Sequence, residues 1–146
     1  MKNLFYVVSL LVTLQSANAF ASAPTDCELL QEMRVEHPFG PKYDLTGAKA
    51  EMIARLPAIA RKQLILYARS DAGSPPQPIT TVTAAVQLLV DGSEGGEVDL
   101  ENFSLEGRRF TRLLWYPGGN PYGVIFAYGT TRKLATLGDG DFSCVK

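Results

Sequence analysis

Histidine occurs once in the 146 residues, tryptophan once and cysteine twice. One histidine, His37, cannot supply a site built on several imidazoles. Two cysteines are too few for a four-thiolate zinc site, and they are not spaced as a C-x-x-C redox pair. Charge of one sign is scarce as well: 14 Lys and Arg against 15 Asp and Glu give a formal net charge of −1. Nucleic-acid binding usually shows as a strongly basic face, so that class is not expected. Charge blocks, low-complexity tails and internal repeats are missing. No motif names a reaction, and none points to a cofactor or a metal.

One long apolar run stands at the start. Met1-Lys2-Asn3 carries a single positive side chain, residues 4–14 are apolar apart from Ser9 and Thr13, and Ala17-Asn18-Ala19 closes the segment. Positive start, short apolar core and small residues at −3 and −1 form the layout of a secretory signal peptide. The run is too short for a bilayer span, which takes about 20 apolar residues. Cleavage is expected after Ala19, with Ala21-Ser22-Ala23 as a second place made poor by Pro24. Cys27 follows Pro24-Thr25-Asp26 rather than a small-residue box, so lipid attachment is not expected. No later stretch is long and apolar enough to span a bilayer. The expected product is one soluble domain over 20–146, periplasmic or secreted. Losing Lys2 takes the net charge from −1 to −2.

Export changes what the cysteines mean. Cys27 and Cys144 lie near the two ends of that domain. In an oxidising compartment such a pair is expected to form a disulfide. The loop it closes spans nearly the whole domain, and the chain-entropy account assigns about 4–5 kcal/mol to a loop of that size.

Residues 24–44 read as irregular, with a short helix over 27–35 carrying Leu29, Leu30 and Met33 on one side. His37-Pro38-Phe39-Gly40-Pro41 interrupts regular structure. Thr46 reads as a helix N-cap. Ala48, Met52, Ile53, Leu56, Ile59, Ala60, Leu64, Tyr67 and Ala68 then form an apolar stripe at steps of three and four. Pro57 kinks that helix or starts a second one. Gly73 ends it before the stiff Ser74-Pro75-Pro76-Gln77-Pro78 linker. Residues 79–90 fit a helical face (Val82, Ala85, Val86, Leu89, Val90) better than the strand that Thr81-Val82-Thr83 favours.

The C-terminal half reads as strands joined by turns. Val98 and Leu100 alternate with acidic residues, whereas Phe103 and Leu105 are out of step, which predicts a bulge near Asn102. Strands follow over 110–116, 122–128, 134–137 and 142–145. Residues 122–128 are apolar on both faces and should be a central, covered strand. Short turns between them imply an antiparallel meander. The expected fold is α+β: N-terminal helices packed on a C-terminal antiparallel β-meander of about four to five strands, with the termini tied by one disulfide.

Four places are candidates for a site. His37 is a candidate acid–base group, weakened by its Pro/Gly loop. Asp139-Gly140-Asp141 resembles part of a calcium loop but lacks the remaining ligands of one, so Asp139 and Asp141 read first as turn residues. Arg108, Arg109, Arg112, Arg132 and Lys133 make an anion patch or, preferably, a solvated face balanced by Glu97, Asp99, Glu101 and Glu106. Trp115, Tyr116, Tyr122, Phe126 and Tyr128 flank Gly118-Gly119-Asn120-Pro121. Most of these rings are expected in the core, with Trp115, Tyr116, Asn120 and Tyr122 the best ligand-binding group. Asn102-Phe103-Ser104 matches a glycosylation sequon, set aside because the leader looks bacterial.

The expected function is a non-enzymatic binding or interaction module that meets an envelope protein or a small ligand. The alternative is a small hydrolase or isomerase with a pocket between helix and sheet, using His37, Asp139 or Asp141. A purely structural envelope component is a third class.

Overall fold

The computed structural model describes residues 22–33, 40–70 and 77–146. The expected leader over 1–19, the histidine His37 and most of the linker around Pro75 lie outside the described residues.

The first helix, α1, runs over Asp26–Met33 and buries Leu29 and Leu30. Thr25 opens it: its hydroxyl accepts from the Glu28 N–H, and the Glu28 carboxylate accepts from the Thr25 N–H. This reciprocal pair satisfies two donors that a helix start leaves open. The Thr25 N–H and hydroxyl, both donating to the Glu28 carboxylate, hold that carboxyl below its ordinary pKa. Pro57 separates α2 (Ala50–Arg55) from α3 (Ala58–Ser70), as its fixed φ and missing donor require. The fourth helix, α4, spans Val82–Gly92, and Thr81 caps it by accepting from the Ala84 N–H. Helical period therefore prevails over local β-propensity at 79–90.

Six strands follow one another in space as they do in sequence: β1 (Lys42–Asp44), β2 (Val98–Leu105), β3 (Arg108–Trp115), β4 (Tyr122–Ala127), β5 (Lys133–Gly138) and β6 (Asp141–Cys144). Every neighbouring pair is antiparallel. Two hairpins turn in two residues, Glu106-Gly107 and Asp139-Gly140, with positive φ at both positions of each. That geometry matches the twist of the flanking strands and favours Asp-Gly.

The C-terminal meander has the five strands β2–β6, and β1 adds a sixth at the edge of β2 from a segment too short to show a period. Two expectations are corrected. Thr46 does not cap a helix. The N-cap of α2 is Lys49, and the Thr46 hydroxyl instead accepts from the Val98 N–H at 3.4 Å. Nor is there a bulge near Asn102: β2 pairs with β3 in unbroken register from Val98↔Trp115 to Leu105↔Arg108. The register shifts instead between Ile125 and Phe126 of β4, where β5 carries Leu134 as an extra residue.

The change of phase in β2 has another cause, which is that the sheet is covered on both sides. Val98 and Leu100 point to the face under α2–α4, where they join Leu56, Leu64, Tyr67, Val86, Leu89, Leu113, Trp115, Val124 and Phe126. Phe103 and Leu105 point to the opposite face, where Leu30 of α1 packs with Phe110, Ile125 and Ala135. Strand β4 is buried on both faces from Gly123 to Phe126, as a central covered strand should be. A disulfide joins Cys27 in α1 to Cys144 in β6 across 117 residues, and holds α1 against that second face. No helix among the described residues is long and apolar enough to cross a membrane.

Candidate functional site: a cleft between α3 and the last strands

Helices α3 and α4 cover the first four strands on their side of the sheet, where the apolar side chains stand. On the same face β5 and β6 present Thr136, Gly138, Asp141 and Ser143, which are small or polar. The pairings Thr136↔Ser143 and Gly138↔Asp141 place these four positions in alternate rungs of one ladder, on one face. A cleft of about 280 Å³ opens there, lined by Tyr67 of α3, Tyr122 of β4, Thr136, Leu137, Asp141 and Ser143. Two glycines complete its wall. At Gly138 a Cβ would approach the Tyr122 ring to 3.3 Å, so the missing side chain gives the ring its place beside the strand. At Gly123 a Cβ would run into the Leu113 carbonyl and stand 2.6 Å from Leu114 Cδ2.

The cleft brings together two residues picked out in sequence, Tyr122 and Asp141. Tyr122 is half-buried and meets Trp115 edge-on, with ring centroids 6.1 Å apart. Asp141 is exposed and forms no ion pair with a described residue. Asp139 is exposed in the hairpin turn and does not line the cleft. No group of three or more acidic, histidine or cysteine side chains arranged for a metal occurs among the described residues.

The aromatic group around residues 115–122 is split by the sheet. Trp115 is 8 % exposed and belongs to the core under the helices, and its indole N–H meets no acceptor among the described residues. Tyr116 leaves toward the other face, as alternation requires. Burial raises its phenol pKa, the Asp99 and Glu97 carboxylates raise it further, and Arg112 and Lys42 oppose the rise. Asn120 is exposed in the loop. That loop is fastened from below: the Tyr116 carbonyl accepts from the Glu94 N–H at 2.8 Å, and the Ser93 hydroxyl accepts from the Tyr116 N–H at 3.0 Å.

The cations do not form a free anion site. Asp26 pairs with Arg108 at 3.0 Å and with Arg132 at 3.6 Å, beside the disulfide. The Arg109 guanidinium lies 3.6 Å over the Tyr128 ring centroid. Arg112 pairs with Glu101, and Lys42 with Asp99 at 3.2 Å. These last four share the face opposite the helices, in the half of the sheet beyond Phe103 and Phe110. Glu101 is 2 % exposed, burial lowers the Arg112 pKa, and Arg112 Nε finds no acceptor among the described residues. A charge pair this dry is a structural commitment of the fold.

Sequence reading missed Tyr67, Thr136 and Ser143 as neighbours of Tyr122 and Asp141. The signal for the two strand residues was present: a two-residue Asp-Gly turn sets the register that puts 136, 138, 141 and 143 on one face. Nothing local to Tyr67 tells that α3 ends over that face. No family model, curated protein sequence or solved structure matches this chain.

Proposed function

We propose that this chain is a non-enzymatic binding module acting outside the cytosol, in the periplasm or secreted, and that its ligand seats in the cleft between α3 and β4–β6. The observation that carries the reading is the meeting of Tyr122 and Asp141 on one concave wall with two hydroxyls, Thr136 and Ser143. Binding sites are typically concave, preformed on rigid elements and supplied with a few polar groups that orient the ligand. Here Tyr122, Thr136, Asp141 and Ser143 stand on paired strands, and the disulfide anchors β6 to α1. The bond also fits the compartment, since disulfides persist outside reducing cytosol.

The hydrolase or isomerase reading keeps one supporting observation: the cleft lies between helix and sheet and has Asp141 on its wall. Acid–base catalysis at such a site needs a second group placed to exchange the proton. Among the described residues Asp141 forms no ion pair that would hold a partner there.

Capture of ligands and proteins from envelope extract on the immobilised oxidised chain tests both readings. Tyr122→Ala and Asp141→Asn should lose the captured species while keeping the disulfide and the far-ultraviolet dichroism of the parent. Capture that ignores these two changes but vanishes with Tyr116→Ala and Asn120→Ala moves the site to the loop. Turnover of a captured species that stops in Asp141→Asn replaces the binder by the enzyme.

A further inference from the structure

We propose that the cleft takes a neutral sugar ring, a ligand class that rests on reading the cleft as the binding site. The argument starts from spacing. Positions two apart on a strand stand about 7 Å apart, and facing positions on paired strands about 5 Å apart. Thr136, Ser143 and Asp141 occupy three corners of such a frame, and Gly138 leaves the fourth corner open. Tyr122 borders that open corner, because a Cβ on Gly138 would already touch its ring. Hydrogen-bonding groups thus lie on three sides of a space whose fourth side is aromatic.

Charge and desolvation narrow the ligand. Among the described residues no cation pairs with Asp141, so its carboxylate disfavours phosphate and carboxylate ligands. A wholly apolar ligand would strand two hydroxyls and a carboxylate away from water, which is unfavourable for each. A quaternary ammonium would suit Asp141 and the tyrosine rings. It offers nothing to Thr136 and Ser143. A sugar ring satisfies all of them together. Two adjacent hydroxyls donate to the Asp141 carboxylate, further hydroxyls exchange hydrogen bonds with Thr136 and Ser143, and the C–H face lies on Tyr122. The volume of about 280 Å³ admits one ring and is open to solvent on the Asp141 and Ser143 side.

Amide chemical-shift titration of the oxidised, isotope-labelled chain tests this with glucose, galactose and N-acetylglucosamine, and with tetramethylammonium and inorganic phosphate as contrasts. Saturable shifts at Gly138, Asp141 and Ser143 with at least one sugar are expected, and none with phosphate. Tyr122→Ala and Asp141→Asn should each weaken the sugar about tenfold, whereas Tyr122→Phe, which keeps the ring, should not. Ser143→Ala, an exposed change that does not endanger the fold, should weaken it too. Silence toward every sugar overturns the proposal, as does sugar binding that these variants leave unchanged. A response to tetramethylammonium with none to sugars overturns the sugar and leaves the cleft as a binding site. Silence at the cleft toward every probe, joined to extract capture indifferent to Asp141→Asn, overturns the cleft reading as well.

Discussion

Gly92 closes α4 directly beneath the Trp115 ring, where a Cβ would stand 2.6 Å from Cζ3. Alanine is the better helix former by about 1 kcal/mol, so propensity alone predicts that Gly92→Ala stabilises. The ring reverses the sign. Trp115 is 8 % exposed and cannot step aside, and overpacking a filled core costs about 1–3 kcal/mol. Gly92→Ala should therefore lower the urea midpoint. At Tyr116 the residue-scale effect is one of pH. Its folded-state pKa lies above the ordinary value because of burial, with Asp99 and Glu97 adding to the rise. The neutral phenol thus stabilises the fold fully below the unfolded pKa of about 10, and that contribution fades as pH climbs from there through the raised value. Tyr116→Phe cannot ionise, so its alkaline loss of stability should begin at higher pH than in the parent. Denaturation midpoints between about pH 9 and 11 measure the difference. A third residue-scale case is Glu101. Its loss leaves Arg112 buried without its partner, and breaking a buried pair in this way costs about 3–5 kcal/mol. Glu101→Gln should approach that loss in denaturant unfolding. Glu101→Leu combined with Arg112→Met should recover most of it.

At the scale of elements, α1 shows how two layers become three. Leu30 is fully buried against Phe103, Phe110 and Ile125, while Met33 one turn later is 39 % exposed. Leu30→Ala should cost about 2–5 kcal/mol by the cavity it leaves, and Met33→Ala less than about 0.5. A helix merely tethered by its disulfide would show no such contrast. The same covering explains β2. Its apolar residues change phase at Glu101–Phe103 because each half of the strand faces a different layer, so strict alternation on one face was never required. A strand read alone cannot distinguish that from a bulge, since both displace the apolar pattern by one position. Helix α4 was legible for the opposite reason. Five apolar positions stand at helical spacing, and they outweigh Thr81, which reads as strand-forming in sequence but caps the helix in the structure.

For the whole molecule the bond from Cys27 to Cys144 closes a loop of 117 residues. Chain entropy assigns about 4–5 kcal/mol to such a closure. The bond also keeps α1 over Phe103 and Phe110, so its loss acts on the folded state too. Cys27→Ala with Cys144→Ala should lower the urea midpoint strongly and raise the m-value, because the denatured chain without the cross-link is more expanded. The variant should also bind a hydrophobic dye more than the parent does as α1 loosens from the sheet. Equal midpoints for the oxidised parent and this variant would contradict the account.

Much of the architecture could be read from order and period: helices before strands, Pro57 as a break, two-residue turns, a covered β4 and a bond between the ends. These depend on neighbours in sequence, on backbone limits at Pro and Gly, and on the chemistry of a cysteine pair. The cleft was half legible. Tyr122 and Asp141 stood out by type, and the Asp139-Gly140 turn aligned Thr136 with Ser143. Other facts depended on what packs over what. That α1 covers a second face, that Trp115 serves the core while Tyr116 borders buried charge, and that Asp26 gathers Arg108 and Arg132 all join residues far apart in the chain. No local pattern encodes which face of a strand meets a helix dozens of residues away, because desolvation is decided only when the layers close.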